Sequence, residues 1–331
     1  MSSAPRFVAV GAGRMGRGIA IAFAYAGHRI ALVDLRQRTP EAWQALAAAA
    51  RQEIRDSLEG LARLGAMDAA QVDAIAARVE LVDAAGAPAA LAAAELVFEG
   101  VPETLEAKRD AFDAVNRHCA DAAIVTSTTS SILVTDLVPL VRRPERFFNM
   151  HWLNPAYVIP VVEISTHPGT DAAAVARTRE IMESAGKLPV VCGVAPGYIV
   201  PRLQALVMNE AARMVAEGVA SAEEIDKATR FGLGLRFAAL GVVEFIDFGG
   251  ADILHHASRE MSASISAERY AAPPVIGRMM EEGRIGLKTG QGFYDYRGRD
   301  TAAYRRDVLQ RVLGQLRNAG LWRPPAERTA D

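Results

Sequence analysis

The hexapeptide Gly11-Ala12-Gly13-Arg14-Met15-Gly16 follows the apolar run Phe7–Val10 and leads into a mostly apolar, helix-forming segment at residues 17–23. A second apolar run, residues 29–33, ends at Asp34. In a strand–turn–helix unit, the first glycine permits a tight turn, the second lets the backbone approach a pyrophosphate, and the third lets the helix pack on the sheet. The helix N-terminus then offers free N–H groups to phosphates. The stretch therefore predicts a dinucleotide-binding βαβ unit, with a glycine-rich turn that binds nothing as the alternative.

Asp34 bears on which dinucleotide would bind. A carboxylate at the end of the second strand accepts hydrogen bonds from the adenosine ribose hydroxyls and repels a 2′-phosphate. Arg36 and Arg38 follow closely and offer positive charge that could hold such a phosphate. We expect NAD rather than NADP, held by the hexapeptide and Asp34.

The composition excludes several classes of protein. The 331 residues are 50% hydrophobic with a net charge of −2 and no basic block. We therefore expect about two domains and neither a nucleic-acid nor a membrane partner. Cys119 and Cys192 are too few for a disulfide framework and lack metal-ligand spacing, so we expect no metal. Because the first strand starts near residue 6, it leaves no room for a signal peptide, and we expect a cytoplasmic protein.

Strand and helix patterns alternate up to about residue 193. They predict an α/β fold, with a Rossmann-type doubly wound sheet domain over residues 1–193 and an all-helical domain over residues 194–331. The predicted strands are residues 6–10, 29–33, 95–99, 123–126, 146–150, 158–163 and 188–192. Residues 41–64 predict a helix, and the stop signal Gly65 with the start signal Asp68 predicts a protruding helical hairpin near residues 41–78.

The second domain is expected to contain several helices. A capping box from Ser221 to Glu224 predicts a helix through Arg230, and residues 231–234 predict a glycine-rich break. Residues 242–258 and 273–282 also predict helices, residues 286–296 predict a loop, and an apolar stripe over residues 304–316 predicts a last helix.

His151 is the candidate base for chemistry on an alcohol. It follows an apolar strand pattern, and therefore falls at the carboxyl end of a sheet strand, where ligand sites of α/β folds form. Glu163 is expected to end the next strand, where its carboxylate would orient the imidazole. A structural histidine and an unrelated surface glutamate are the alternative.

Six motifs together resemble the 3-hydroxyacyl-CoA dehydrogenase family, from about residue 6 to residue 296. They are GAGRMG (11–16), VFEGVPETLEAK (97–108), STTSS (127–131), HWLNP (151–155) with VVE (161–163), APGYIV with Arg202 (195–202), and LKTGQGFYDY (287–296). The resemblance implies an NAD-dependent oxidoreductase of fatty-acid metabolism that works as a homodimer, and long apolar helical faces such as residues 199–215 are compatible with a dimer.

The resemblance also implies roles for individual residues. His151 would remove the hydroxyl proton, Glu163 would support it, Ser130 would donate a hydrogen bond to the substrate oxygen, and Asn154 would position the nicotinamide. The cofactor site would further include Ser130, Glu103, Lys108 and Lys288. From the residues alone, Ser130 could equally be a helix N-cap.

Several positions depart from the family pattern. Pro201 replaces an asparagine that contacts the substrate carbonyl, and proline offers no donor there. Thr128 replaces another asparagine of the serine motif. Ser57 matches a CoA-contacting serine, but Leu64 stands where a lysine is expected, with Arg63 beside it.

Arg236 suggests a different substrate. The sequence around it, residues 232–237, resembles the free-acid branches of the family, the gulonate and carnitine dehydrogenases. Arg236 would clamp a substrate carboxylate in a bidentate fork, and a surface arginine is the alternative. No role is assigned to the tail after Arg297.

Three functions follow as hypotheses. We expect reversible NAD-dependent oxidation of a short L-3-hydroxyacyl-CoA, such as 3-hydroxybutyryl-CoA. The second hypothesis is the same chemistry on a free 3-hydroxy acid. The third is a dinucleotide-binding protein with little turnover, because Pro201 removes a substrate contact.

Overall fold

The computed structural model describes residues 6–324, which form two compact units that divide between Met208 and Asn209. The first unit contains one eight-stranded sheet in the order β3-β2-β1-β4-β5-β6-β7-β8, in which only the β6–β7 pair is antiparallel. The strands are β1 Phe7–Val10, β2 Ile30–Val33, β3 Val79–Val82, β4 Leu96–Glu99, β5 Ile124–Ser127, β6 Phe147–Trp152, β7 Val161–Ser165 and β8 Leu188–Cys192.

Helices flank the sheet and make up most of the second unit. The α-helices up to the division are α1 Arg14–Tyr25, α2 Pro40–Arg63, α3 Val72–Ala76, α4 Ala87–Ala92, α5 Leu105–His118, α6 Val134–Leu137, α7 Ala172–Ser184 and α8 Val200–Ala216, which contains it. The later α-helices are α9 Ala222–Ala228, α10 Leu235–Ala239, α11 Val242–Gly249, α12 Ala251–Ser264, α13 Ala267–Tyr270, α14 Pro274–Glu281 and α15 Thr301–Asn318. The predicted class, a Rossmann-type sheet with a helical second part, is confirmed.

The apolar runs become strands because helices cover both sheet faces. Strands of such sheets are apolar on both sides, and β2 and β4 are buried along their whole length. One core includes Phe23, Leu32 and Phe98, and a second includes Val8 and Phe112. The sheet therefore holds His151 on β6 and Glu163 on β7 in fixed positions. Within residues 6–324 no helix is long and apolar enough to cross a membrane.

The sheet has one strand that was not predicted and one whose position and direction differ from prediction. All seven predicted runs form strands, but β3 is an additional one that pairs with β2 at the sheet edge. β7 begins at Val161 and runs antiparallel to β6, so Glu163 lies in its middle rather than at its end. Only residues 153–160 connect the two strands, and a parallel crossover needs about a dozen residues or more.

The helical segment after β2 begins with one long helix, α2. Thr39 caps the N-terminus of α2 and Pro40 is its first residue, an arrangement that suits a helix start. Ile54 and Leu58 are buried in the same core as Phe23, so the segment does not protrude along its whole length. A 3-10 turn then leads to α3, which has 5 residues.

Two helices of the second unit differ from prediction. Residues 242–258 are not one helix, because Gly250 adopts φ 113 and separates α11 from α12. Only glycine takes that conformation readily. The predicted break at residues 231–234 is instead a π-helical turn, Thr229–Gly234, that continues into α10. The predicted N-cap Ser221 accepts a hydrogen bond from the Glu224 N–H. The domain boundary predicted at residue 194 stays a prediction.

Candidate active site

The glycine-rich turn between β1 and α1 has the geometry that a pyrophosphate needs. Gly11 has φ 104, and a Cβ there would lie 2.7 Å from the Gly100 carbonyl oxygen. A Cβ on Gly16 would lie 2.0 Å from the Gly11 oxygen, whereas one on Gly13 would meet nothing within 4 Å. Gly13 caps α1 without a side-chain hydrogen bond. The first-turn N–H groups of α1 are therefore free to face an anion.

A groove of about 950 Å³ extends from this turn along the carboxyl ends of β1, β2 and β4. Asp34, at the end of β2, lines the groove and is 6% exposed. The Arg38 guanidinium donates a hydrogen bond to the Asp34 carboxylate. This pairing occupies the charge that would otherwise attract a 2′-phosphate, so the donors and acceptors present fit the adenosine half of NAD.

Asp34→Ser should lower the preference for NADH over NADPH. The change removes a charged acceptor for ribose hydroxyls and frees Arg38, and a hydrogen bond to a charged group contributes about 1.5–3 kcal/mol, or roughly 10- to 100-fold in Kd. Fluorescence titration with both nucleotides measures the effect. Asp73→Ser is the control, because Asp73 also pairs with an arginine, Arg55. An unchanged preference would remove Asp34 from the ribose site.

His151 and Glu163 face each other across the antiparallel β6–β7 pair. The His151 Nδ1 atom lies 2.9 Å from Glu163 Oε2, and the glutamate is fully buried. Glu163 Oε1 accepts hydrogen bonds of 2.8 Å from the N–H groups of Ile199 and Val200, at the start of α8. A carboxylate oxygen accepts hydrogen bonds, so Nδ1 donates to Glu163 and the neutral imidazole has its lone pair on Nε2.

Tyr198 covers one face of this imidazole. The two rings are stacked, with centroids 4.7 Å apart and an interplanar angle of 14°. The Tyr198 hydroxyl donates a 2.7 Å hydrogen bond to the Thr129 carbonyl oxygen. No role was predicted for Tyr198 from the sequence, where it lies within the motif APGYIV. An aromatic residue between a Pro-Gly pair and a helix start was the only available signal.

The serine loop, residues 128–131 after β5, is organised by Glu103. Its Oε1 accepts hydrogen bonds from the N–H groups of Ser130 (2.9 Å) and Ser131 (3.1 Å), and from the Thr129 hydroxyl. Burial raises the pKa of Glu103, but the Thr129 hydrogen bond and the charge of Lys108 outweigh it and hold this pKa below its ordinary value. Ser130 itself is exposed. It is not the N-cap of α6, because Leu133 takes that position.

Lys108 is fully buried beneath this loop. Its Nζ lies 2.9 Å from Glu99 Oε2, 3.4 Å from Glu103 Oε2 and 3.3 Å from Ser127 Oγ. A buried cation needs such partners, and Glu99 is one that sequence reasoning missed. Lys108 therefore supports Glu103 from below, and direct contact between Lys108 and a cofactor stays a prediction.

Asn154 is exposed on the loop that follows β6. Buried Lys187 holds this loop through hydrogen bonds from Nζ to the carbonyl oxygens of Ala156 (2.6 Å) and Ile159 (3.0 Å). Burial lowers the pKa of Lys187. Because β1, β4, β5 and β6 are parallel, the glycine turn, the serine loop and the Asn154 loop all lie at the same sheet edge.

The other predicted residues have local partners. Ser57 on α2 donates to the Glu53 carbonyl oxygen at 2.8 Å, and Arg63 lies 3.7 Å from Glu59. Leu64 is 83% exposed. No described contact joins these α2 residues to His151.

Two predicted residues lie in the second unit. Lys288 pairs with Asp252 at 2.9 Å. Arg236 is exposed, with its guanidinium 6.0 Å from the Phe245 ring centre. Their part in binding stays a prediction.

Comparisons with known proteins cover both units. The 3-hydroxyacyl-CoA dehydrogenase NAD-binding domain matches residues 7–195, and the C-terminal domain of the same family matches residues 197–296. A 3-hydroxybutyryl-CoA dehydrogenase of Mycobacterium tuberculosis is 33% identical over 87% of this chain and 96% of its own length. A 5-formyl-3-hydroxy-2-methylpyridine 4-carboxylate 5-dehydrogenase of Mesorhizobium japonicum is 29% identical over 93% of this chain and 96% of its own.

A solved structure gives the same result. The 3-hydroxyacyl-CoA dehydrogenase of Archaeoglobus fulgidus superposes with a TM-score of 0.74 at 30% identity, over 96% of this chain and all of its own. The glycine turn and Asp34 agree with the NAD-binding domain that the first match describes. The chain belongs to the 3-hydroxyacyl-CoA dehydrogenase family and is an NAD-dependent oxidoreductase acting on a CH–OH group.

Proposed function

We propose that the protein catalyses reversible oxidation of a short L-3-hydroxyacyl-CoA, of the 3-hydroxybutyryl-CoA type, to the 3-ketoacyl-CoA. The observation that carries the proposal is the dyad of His151 and Glu163, whose hydrogen bonds leave the imidazole Nε2 with a free lone pair. A base with a lone pair can accept the proton of the 3-hydroxyl. The similarity to a 3-hydroxybutyryl-CoA dehydrogenase supports a short acyl-CoA as the substrate class.

Each residue of the site has a defined task in this reaction. His151 Nε2 takes the hydroxyl proton, and the Glu163 carboxylate stabilises the imidazolium that forms. The Ser130 hydroxyl donates a hydrogen bond to the substrate oxygen, and Asn154 orients the nicotinamide. Bound NAD⁺ supplies the acceptor for the hydride that leaves C3. Glu103 acts on Ser130 through the loop backbone that it holds.

A free hydroxy acid is the second candidate substrate. Within residues 6–324 the Arg236 guanidinium has no ion pair with a carboxylate, so it is available to bind one. Proline at position 201 offers no donor to a thioester carbonyl. The name of the Mesorhizobium relative describes a carboxylate substrate without CoA.

Arg236→Ala should raise KM for a free hydroxy acid by about 10- to 100-fold, since a charge-assisted contact contributes roughly 1.5–3 kcal/mol. NADH affinity should not change. Arg230→Ala is the matched control, because Arg230 is also exposed and also stacks on a phenylalanine, Phe231. An unchanged KM for Arg236→Ala would remove this residue from the substrate site.

The substrate proposal is tested by following NADH oxidation with acetoacetyl-CoA and with free acetoacetate in parallel. We expect a high kcat/KM on the thioester and very little on the acid. The reverse ranking would contradict the acyl-CoA proposal and support the free acid. Tight NADH binding with no turnover on either compound or on longer homologues would support a binding protein instead.

We further propose a homodimer in the cytoplasm with a place in fatty-acid metabolism. Helix α8 contains no buried residue, and Leu206 (65%) and Met208 (59%) are among its exposed apolar side chains. Such a face favours a partner surface. Light scattering on the purified chain measures the mass in solution, and a monomeric mass at assay concentration would contradict the dimer.

A further inference from the structure

Tyr198 connects two parts of the site that are distant in sequence. Its ring lies flat on the His151 imidazole, and its hydroxyl is bound to the carbonyl oxygen of Thr129. Thr129 immediately precedes Ser130 in the serine loop. The side chain therefore spans from the proposed base to the residue beside the proposed oxygen donor. The side chain is buried, with 6% of its surface exposed.

The backbone at Tyr198 also acts on the dyad. Tyr198 is the only non-glycine residue with positive φ among residues 6–324, at φ 48. Such a conformation is uncommon for a bulky residue and requires support from its surroundings. The next two N–H groups, of Ile199 and Val200, are the ones that bind Glu163 Oε1. One local conformation therefore sets both the ring stack and the carboxylate contacts.

We propose that Tyr198 is a positioning residue that fixes the His151 imidazole relative to the serine loop. This inference rests on the proposed function, in which the substrate oxygen lies between His151 and Ser130. The stack restrains the tilt of the imidazole, and the hydroxyl restrains the separation between the base and the loop. Burial raises the pKa of Tyr198 far above its ordinary value, so the hydroxyl keeps its proton and remains a donor.

Two variants separate the stack from the hydrogen bond. Tyr198→Phe keeps the ring and removes only the donor to Thr129, while Tyr198→Leu removes both. Misplacement of a reacting group by about 1 Å costs about 100-fold in rate. We expect kcat to fall roughly 10-fold in Tyr198→Phe and about 100-fold in Tyr198→Leu, with little change in KM for NADH.

Tyr25→Phe is the matched control. The Tyr25 hydroxyl also donates a 2.7 Å hydrogen bond to a backbone carbonyl, that of Ala66, in the same unit. Its loss should change thermal stability and leave kcat unaffected. The primary isotope effect with deuterated NADH should rise in both Tyr198 variants and not in Tyr25→Phe, because only slower chemistry raises it. Equal kcat and isotope effect in Tyr198→Leu and wild type would overturn the proposal.

A spectroscopic readout works without any substrate. In ¹⁵N–¹H spectra of the histidine side chains, the His151 Nδ1–H should be visible in the wild type, because its bond to Glu163 slows exchange with water. The signal is assigned by its loss in His151→Asn. It should persist in Tyr198→Phe and vanish in Tyr198→Leu, and persistence in both would overturn the role of the stack. If the wild type turns over neither substrate, the proposed function fails while this readout still decides the inference.

Discussion

His151→Ala is expected to lower kcat by about 10²–10⁴-fold, the usual contribution of one general acid–base group. No other described imidazole pairs with Glu163. NADH affinity should stay the same, because His151 lies on β6 and the glycine turn follows β1, with β4 and β5 between them. Steady-state kinetics and NADH titration of the same preparation measure both quantities.

His167→Ala is the control for removing a histidine from the first unit. The His167 Nε2 atom also has a 2.9 Å partner, the Pro144 carbonyl oxygen, and lies on the loop after β7. The His167→Ala variant should have a lower thermal stability than the wild type and an unchanged kcat. Turnover of His151→Ala close to that of the wild type would contradict the assignment of the base.

Glu163→Gln is expected to have a similarly large effect through the tautomer of His151. The amide oxygen must face the two N–H donors of Ile199 and Val200, because an NH₂ group there would meet donors only. The NH₂ group then donates to Nδ1, and the imidazole proton moves to Nε2. An equivalent carboxylate-to-amide change in a serine protease lowers kcat by about 10⁴-fold, and we expect about 10²–10⁴-fold here.

The Glu163 variant needs a control for loss of negative charge. Glu80→Gln removes the charge of an exposed carboxylate on β3 that pairs with Arg29, and kcat should not change. In Glu163→Gln the ¹⁵N shift of His151 Nδ1 should become that of an unprotonated nitrogen, and the shift of Nε2 should become that of a protonated one. Full activity in this variant, or an unchanged tautomer, would contradict the argument.

The strands that are buried on both faces could be predicted from the sequence, because burial requires a continuous run of apolar residues. The runs that became β1, β2 and β4 are buried on both faces. β3 was missed because it lies at the sheet edge, where Glu80 stays exposed and the pattern is weak. The antiparallel direction of β7 could have been predicted, because the connection over residues 153–160 is too short for a parallel crossover.

The site was predictable only in part. Neighbouring strands placed Glu163 beside His151, as expected from their order. The contacts that complete the dyad come from Tyr198 and the start of α8, which lie 35 to 37 residues from Glu163 along the chain. A local sequence pattern does not show which residues far apart along the chain come into contact. Lys108 and Glu103 were both expected at the cofactor site, but the ion pair of Lys108 with Glu99 forms only when β4 and α5 pack.

The most direct test of direct hydride transfer at C3 uses NADH deuterated at its transferable C4 position, with acetoacetyl-CoA as the acceptor. Mass and NMR spectra of the product locate the label. The account predicts a single deuterium at C3 of L-3-hydroxybutyryl-CoA, formed by the wild type and nearly absent with His151→Ala. Reduced product without deuterium at C3 would contradict it. The same amount of labelled product from His151→Ala as from the wild type in the same time would also contradict it.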